Sequence, residues 1–138
     1  MRAALLSVLC LFASVEITFA ADSSLSTAMV QAFKTKNFSI ALDKARLILK
    51  TEPNNLSALE VAAKSLSKGR QYLESAEMMD RYIVIKPMPV QVYFTAYNYF
   101  RAKRHKEASR LCEKCLSLDP NFGPVYLLKA EIVKDTNG

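Results

Sequence analysis

The sequence has no tryptophan, one histidine, three cysteines and three glycines among its 138 residues. So few glycines leave little from which to build a phosphate-binding loop, because such loops need several glycines close together. A single histidine, His105, cannot supply the paired histidines found in many zinc sites. Neither a nucleophile elbow nor a cluster of acidic residues is present. We therefore expect no enzyme activity, no cofactor and no metal.

Basic residues are in moderate excess, with 19 Lys and Arg against 13 Asp and Glu and a net charge of +6. Such an excess is typical of a solvated basic surface, and the alternative is an anionic partner or a membrane surface. No basic run is long enough for a nucleic-acid-binding arm, and no zinc-finger or helix-turn-helix pattern is present. We expect no nucleic-acid partner.

The first twenty residues have the pattern of a secretory signal. Arg2 precedes an apolar segment, and small residues at Thr18 and Ala20 predict cleavage after Ala20. The apolar run stops at Glu16, short of the ~20 residues that span a bilayer. The alternatives are a cytosolic protein and a segment that is retained as a membrane anchor. We expect membrane association only if the segment is retained. The preferred interpretation is a signal peptide over residues 1–20 and an exported protein, periplasmic or secreted.

Residues 21–138 contain an internal repeat with a period of 34 or 33 residues. Pro53, Pro87 and Pro120 follow this period, and each ends an apolar run. Four further series share the spacing: Phe38, Tyr72 and His105; Ala41, Ser75 and Ala108; Leu25, Leu59, Val92 and Tyr126; Met29, Ala63, Ala96 and Ala130. A period in the low thirties is typical of solenoids built from supersecondary units.

Each unit is predicted to be a pair of helices. Apolar residues recur at helical spacing on both sides of a polar turn, and no stretch shows sustained strand alternation. Pro89 and Pro124 stand where helices begin, Asn55 is a candidate N-cap, and Gly69 suits a left-handed helix ending. The predicted helices cover residues 24–35, 38–51, 56–68, 72–86, 89–102, 105–118 and 122–134.

This spacing resembles the tetratricopeptide repeat (TPR) family, whose 34-residue units are helix pairs. The family has a large residue early in the first helix, small residues at two close contacts and a terminating proline, and the series above match these positions. Met29 and Ser75 depart from the pattern, and the third unit is one residue short. The resemblance implies an all-α fold, a right-handed α-solenoid. Its three pairs would cover about residues 22–55, 56–88 and 89–122, with a capping helix over residues 122–134.

The resemblance also implies a binding surface, because the first helices of successive pairs line the concave face in this family. The candidate groove residues that follow by register are Phe33, Lys34, Lys64, Lys68, Tyr93, Tyr97, Phe100 and Arg101. The three aromatic residues from the third pair exceed what one helix needs for its core stripe, unless a short array buries them against the capping helix. Aromatic and Arg side chains are frequent anchors of interfaces. We expect a groove for an extended or helical peptide with acidic residues.

The preferred function is an exported scaffold that binds a peptide or helix of a partner, as an assembly factor of a cell-envelope or secretion complex. The alternative is a thiol-active or redox protein, because Cys112 and Cys115 have the spacing of redox and metal motifs. Both cysteines fall on the apolar stripe of the sixth helix, which favours core packing. His105 is interpreted as a structural aromatic, since the sequence shows no orienting carboxylate beside it. The oligomeric state is left open.

Overall fold

The computed structural model describes residues 23–138, so the predicted signal segment lies outside the described residues. Within residues 23–138 the chain forms seven helices and no strand. Helix α1 covers residues 23–34, and the others are α2 (Phe38–Thr51), α3 (Leu56–Lys68), α4 (Tyr72–Ile85), α5 (Pro89–Arg101), α6 (His105–Leu118) and α7 (Gly123–Asn137). The all-α solenoid is confirmed. Of the predicted helices, the last differs most, because α7 continues past residue 134.

The breaks between pairs follow the expected stop and start signals. Proline lacks an amide hydrogen and crowds the preceding turn, and Pro53, Pro87 and Pro120 each stand just after a helix. Pro89 opens α5, where a missing amide hydrogen costs nothing. The side chain of Asn55 accepts a hydrogen bond from the amide of Ala58 at 3.0 Å, as predicted for an N-cap.

The turns within the pairs share a left-handed backbone residue. Lys36, Arg70 and Lys103 each have a φ of 62°, a conformation uncommon for residues other than glycine. The next amide in each turn bonds to the carbonyl five residues earlier, which closes the helix end as a Schellman motif. The prediction that Gly69 takes the left-handed position is wrong, because its φ is −79° and Arg70 holds that position instead.

Small residues let the helices approach closely. Ala41, Ser75 and Ala108 are fully buried near the starts of the second helices, and Ala63 and Ala96 are fully buried on the first helices. The Ser75 hydroxyl donates a hydrogen bond of 2.7 Å to the carbonyl of Ala63 on the facing helix. A serine is therefore tolerated in place of alanine, because its buried oxygen has a partner.

The core forms two clusters that share α3. The first contains Met29, Ala41 and Leu66, and the second continues from Leu59 to Ile132. Met29 is fully buried, so the first pair accommodates a large side chain at a position where the repeat has alanine. Helix α7 packs on α6 and α5. No described helix is long and apolar enough to cross a bilayer.

Candidate functional site

A cleft with a volume of about 410 Å³ lies among α1, α3, α5 and the start of α4. Its lining residues are Phe33, Lys64, Ser67, Lys68, Tyr72, Phe94, Tyr97 and Arg101. Five of the residues predicted for the groove are therefore brought together: Phe33, Lys64, Lys68, Tyr97 and Arg101. The cleft spans all three helix pairs, so its shape depends on how the pairs stack.

Arg101 is held between aromatic side chains of two helix pairs. Its guanidinium carbon lies 4.4 Å from the ring centroid of Tyr72 on α4 and 5.7 Å from that of Tyr97 on α5. Its Nη1 donates a hydrogen bond of 2.7 Å to the Tyr97 hydroxyl, which raises the pKa of Arg101. These cation–π and hydrogen-bond contacts orient a permanent positive charge toward solvent.

The other charges of the cleft are also positive. Lys64 pairs with Glu60 one turn earlier on α3, at 2.6 Å. The side chain of Lys68 has no hydrogen-bond or ion-pair partner among residues 23–138. No carboxylate lines the cleft itself. Glu60 offsets the charge of Lys64, so Lys68 and Arg101 are the cations of the lining that no described carboxylate neutralises. A surface with these two cations and aromatic walls attracts anionic groups and also offers apolar contact.

Three predicted groove residues lie elsewhere. Lys34 is exposed on α1 and does not line the cleft. Tyr93 is half-buried and packs on Phe122 just before α7, with 5.6 Å between ring centroids. Phe100 stacks on His105 at 5.8 Å. Tyr93 thus contacts the segment before α7, as the alternative of packing against the capping helix predicts, whereas Phe100 contacts the start of α6 in its own pair.

The sequence prediction missed two aromatic residues of the cleft. The position of Tyr72 in the repeat predicts the packing role that Phe38 has in the first pair. The ring centroid of Phe38 lies 5.5 Å from that of Phe33. Tyr72 instead contacts Arg101 across the boundary between pairs. Phe94 precedes Tyr97 by three residues and Arg101 by seven, so a projection of α5 places all three on one face.

His105 joins the turn between α5 and α6 to α7. Its Nε2 lies 2.8 Å from Oδ2 of Asp135, which also accepts a hydrogen bond from Lys103 Nζ at 2.9 Å. That hydrogen bond lowers the pKa of Asp135. The expectation that no carboxylate lies beside His105 is wrong, because α7 extends far enough to supply one. The ring also stacks on Phe100, so it serves packing in addition to its contact with Asp135.

Neither described cysteine forms a disulfide, and both are fully buried on α6. Burial, followed by the proximity of Cys115, raises the pKa of Cys112 to about 11. Burial also raises the pKa of Cys115, whose Sγ donates to the carbonyl of Pro89 at 3.3 Å. A raised pKa leaves little thiolate, the reactive form, at neutral pH. No group of three or more His, Cys, Asp or Glu among residues 23–138 is placed to hold a metal.

These thiols are expected to react slowly while the protein is folded. Modification by an aromatic disulfide reagent at pH 7 should be at least about a hundredfold slower in buffer than in denaturant, because burial removes both access and thiolate. Absorbance of the released thiol follows the reaction. The native rate should rise with pH toward the raised pKa of Cys112, since deprotonation creates the nucleophile. Rapid stoichiometric modification of the native protein would favour the thiol-active alternative.

No protein-family model matches this sequence, and no curated protein sequence matches it. The first TPR domain of Spaghetti (RPAP3), bound to the HSP90 peptide SRMEEVD, matches with a TM-score of 0.72 and 14% identity over 85% of this chain and 94% of that one. The Sgt2 TPR domain from Aspergillus fumigatus matches with a TM-score of 0.69 and 22% identity, over 86% of this chain and 83% of that one. A chain of the CopN–Scc3 complex matches with a TM-score of 0.67 and 18% identity, over 82% of this chain and 67% of that one.

At these identities the likeness establishes the fold. The chain has the fold of TPR domains over nearly all of its described residues, as the spacing of its prolines, alanines and large apolar residues predicts. One of these neighbours is described with a bound peptide and another as part of a complex. The class that the fold defines is an α-solenoid of stacked helix pairs.

Proposed function

We propose that this chain is an exported scaffold that binds an acidic segment of a partner protein in the cleft between α1, α3 and α5. The observation that carries the proposal is the cleft lining, in which Lys64, Lys68 and Arg101 surround aromatic side chains and no carboxylate is present. Arg101 and Lys68 can each bind a carboxylate of the ligand. The rings of Tyr97 and Phe94 offer apolar contact between those charges.

The structural neighbours support a peptide or protein partner in general terms. The domain from Spaghetti holds the HSP90 peptide SRMEEVD, which contains three acidic residues. The acidic character of the ligand rests on the cleft of this chain alone. Because the cleft crosses the boundaries between pairs, an extended or helical segment could contact all three pairs at once.

The expected test result is loss of binding when the anchors are removed. The double variant Tyr97→Ala, Arg101→Ala should weaken binding of a fluorescent acidic peptide by at least about tenfold, because it removes an aromatic and an Arg anchor. Fluorescence anisotropy measures the affinity, and raising the salt concentration should weaken binding of the unaltered protein.

The matched control is Arg110→Ala, which removes the same charge from an exposed position of α6 outside the cleft. It should leave peptide affinity nearly unchanged, and circular dichroism should show that both variants stay folded. Equal affinities of the double variant and the unaltered protein would overturn the assignment of this cleft.

Export is the second part of the proposal, and it rests on the sequence pattern of residues 1–20. In the exporting cell the mature protein should begin at Ala21, which N-terminal sequencing of the recovered protein checks. An intact N-terminus on protein recovered from the cytosol would contradict export. A role as an assembly factor of an envelope or secretion complex follows from export together with a binding cleft.

A further inference from the structure

The junction between the second and third pairs, residues 84–90, includes the end of α4, the turn after it and the start of α5, and it carries apolar side chains that face solvent. Val84 is 80% exposed, Val90 58%, Ile85 47% and Met88 41%. Burying apolar surface is the main favourable term in association, so four such side chains on one short turn are a candidate contact surface. We call residues 84–90 the second inter-pair turn.

The other two turns between pairs are mostly polar at the same positions. The counterparts of Val84 are Lys50 and Ser117, and the N-cap position that Met88 holds before α5 is held by Asn55 before α3 and by Phe122 before α7. A charge also changes sign, because Lys86 stands where the repeat otherwise has Glu52 and Asp119. The turn between the first and second pairs has only polar residues at these positions, and the turn before α7 has Leu118 and Phe122. Stacking of the pairs therefore does not require apolar residues in this turn.

Two prolines make the second inter-pair turn stiff. Pro87 and Pro89 fix their own φ angles, and Met88 between them is extended, with a φ of −120° and a ψ of 143°. The Cys115 thiol donates a hydrogen bond to the carbonyl of Pro89 and so ties the end of the turn to α6. The backbone around Met88 is thus restricted before any partner is bound, which lowers the entropy lost on binding.

Basic side chains border the turn. A cleft of about 340 Å³ next to Val84 is lined by Arg81, Arg110 and Lys114. The one carboxylate in that lining, Asp80, accepts a hydrogen bond from the hydroxyl of Tyr99. Together with Lys86, these cations make the surroundings of the apolar turn positively charged.

We propose that the second inter-pair turn docks on the surface of an anionic lipid bilayer. The apolar side chains enter the interface between headgroups and acyl chains, and the bordering cations contact lipid phosphates. Exposed apolar side chains with a basic border fit an anionic bilayer surface, because burial of the apolar groups and contact of the cations with phosphates both favour association. This contact is separate from the peptide cleft and leaves that cleft free.

The test uses residues 21–138, so that the apolar segment before Ala21 makes no contribution. This protein should co-sediment with vesicles of equal parts phosphatidylcholine and phosphatidylglycerol, and much less with phosphatidylcholine alone. The double variant Met88→Asp, Val90→Asp should reduce the bound fraction at least about tenfold, because it replaces inserting groups by charges that the lipid repels. Aspartate is favourable at the N-cap and first turn of α5, so the variant should stay folded.

A control variant carries the same change in net charge elsewhere. Ile40→Asp with Ser57→Asp places two carboxylates in the first turns of α2 and α3, and Ser57 is the counterpart of Val90. This variant should bind vesicles nearly as well as the unaltered protein, as should Tyr97→Ala with Arg101→Ala. Since the sequence has no tryptophan, Met88→Trp also supplies a single reporter whose emission should shift to the blue with anionic vesicles.

Several results would overturn the proposal. These are no sedimentation with anionic vesicles, equal binding to neutral vesicles, or equal binding by Met88→Asp, Val90→Asp. An unchanged emission of Met88→Trp in the presence of vesicles would do the same. If the aspartate variant loses a protein partner while neither protein binds vesicles, the turn belongs to a protein interface instead.

Discussion

Replacing Leu59 with alanine is expected to lower the free energy of unfolding by about 2–5 kcal/mol. Leu59 is fully buried on α3, in the cluster that continues through the later helices to Ile132. Truncation loses the transfer free energy of the missing carbons and leaves a cavity that the close-packed pairs fill only in part. Urea unfolding followed by circular dichroism at the helix band measures the change.

Val84→Ala is the control for this experiment. Val84 is 80% exposed, so its truncation should change stability by no more than about 0.5 kcal/mol. Each pair contacts only its neighbours, so hydrogen exchange should show the loss caused by Leu59→Ala concentrated in α3 and the helices beside it. Similar stability losses for both variants would contradict the assignment of Leu59 to the core.

Ser75→Leu should destabilise the protein by about 2–4 kcal/mol. The position is fully buried where α3 and α4 approach, and the hydroxyl bonds to the Ala63 carbonyl at 2.7 Å. Leucine would force the helices apart and would also remove that hydrogen bond. Thermal unfolding measures the change in stability.

Ser75→Ala separates the loss of the hydrogen bond from the steric effect of a larger side chain. Alanine restores the residue that the other pairs have at this position and removes only the hydrogen bond, so a loss of about 0.5–1.5 kcal/mol is expected. If Ser75→Leu lowers the stability no more than Ser75→Ala does, then α3 and α4 are not closely packed at Ser75.

The sequence predicted the helices well because the repeat supplies several stop and start signals for each boundary. The ends of α2, α3 and α6 follow from prolines and polar turns that recur every 34 or 33 residues. The end of α7 was missed because Asp135, Thr136 and Asn137 are weak helix formers. The contacts of Asp135 with Lys103 and His105 supply tertiary support that no local pattern reveals.

The candidate cleft was predictable only in part. The position of a residue in the repeat shows which face of the first helix it lies on, and this was enough to predict Lys64, Lys68 and Tyr97. It cannot find contacts that depend on side-chain reach across two pairs, such as the stacking of Arg101 on Tyr72. Nor does it show that Tyr93 packs against Phe122, because that choice depends on where the chain passes before α7.

The left-handed residues of the three turns within pairs have a kinetic consequence. Lys36, Arg70 and Lys103 occupy one position of the repeat, so their exposed charges recur along one edge of the solenoid. Lys103 is paired with Asp135, so Lys36 and Arg70 are the members of this row without a carboxylate partner among residues 23–138. The screening length grows from about 8 Å at physiological ionic strength to about 30 Å at 0.01 M salt. At low salt these charges should speed the encounter with the acidic partner that we propose. Salt should therefore change the association rate more than the dissociation rate.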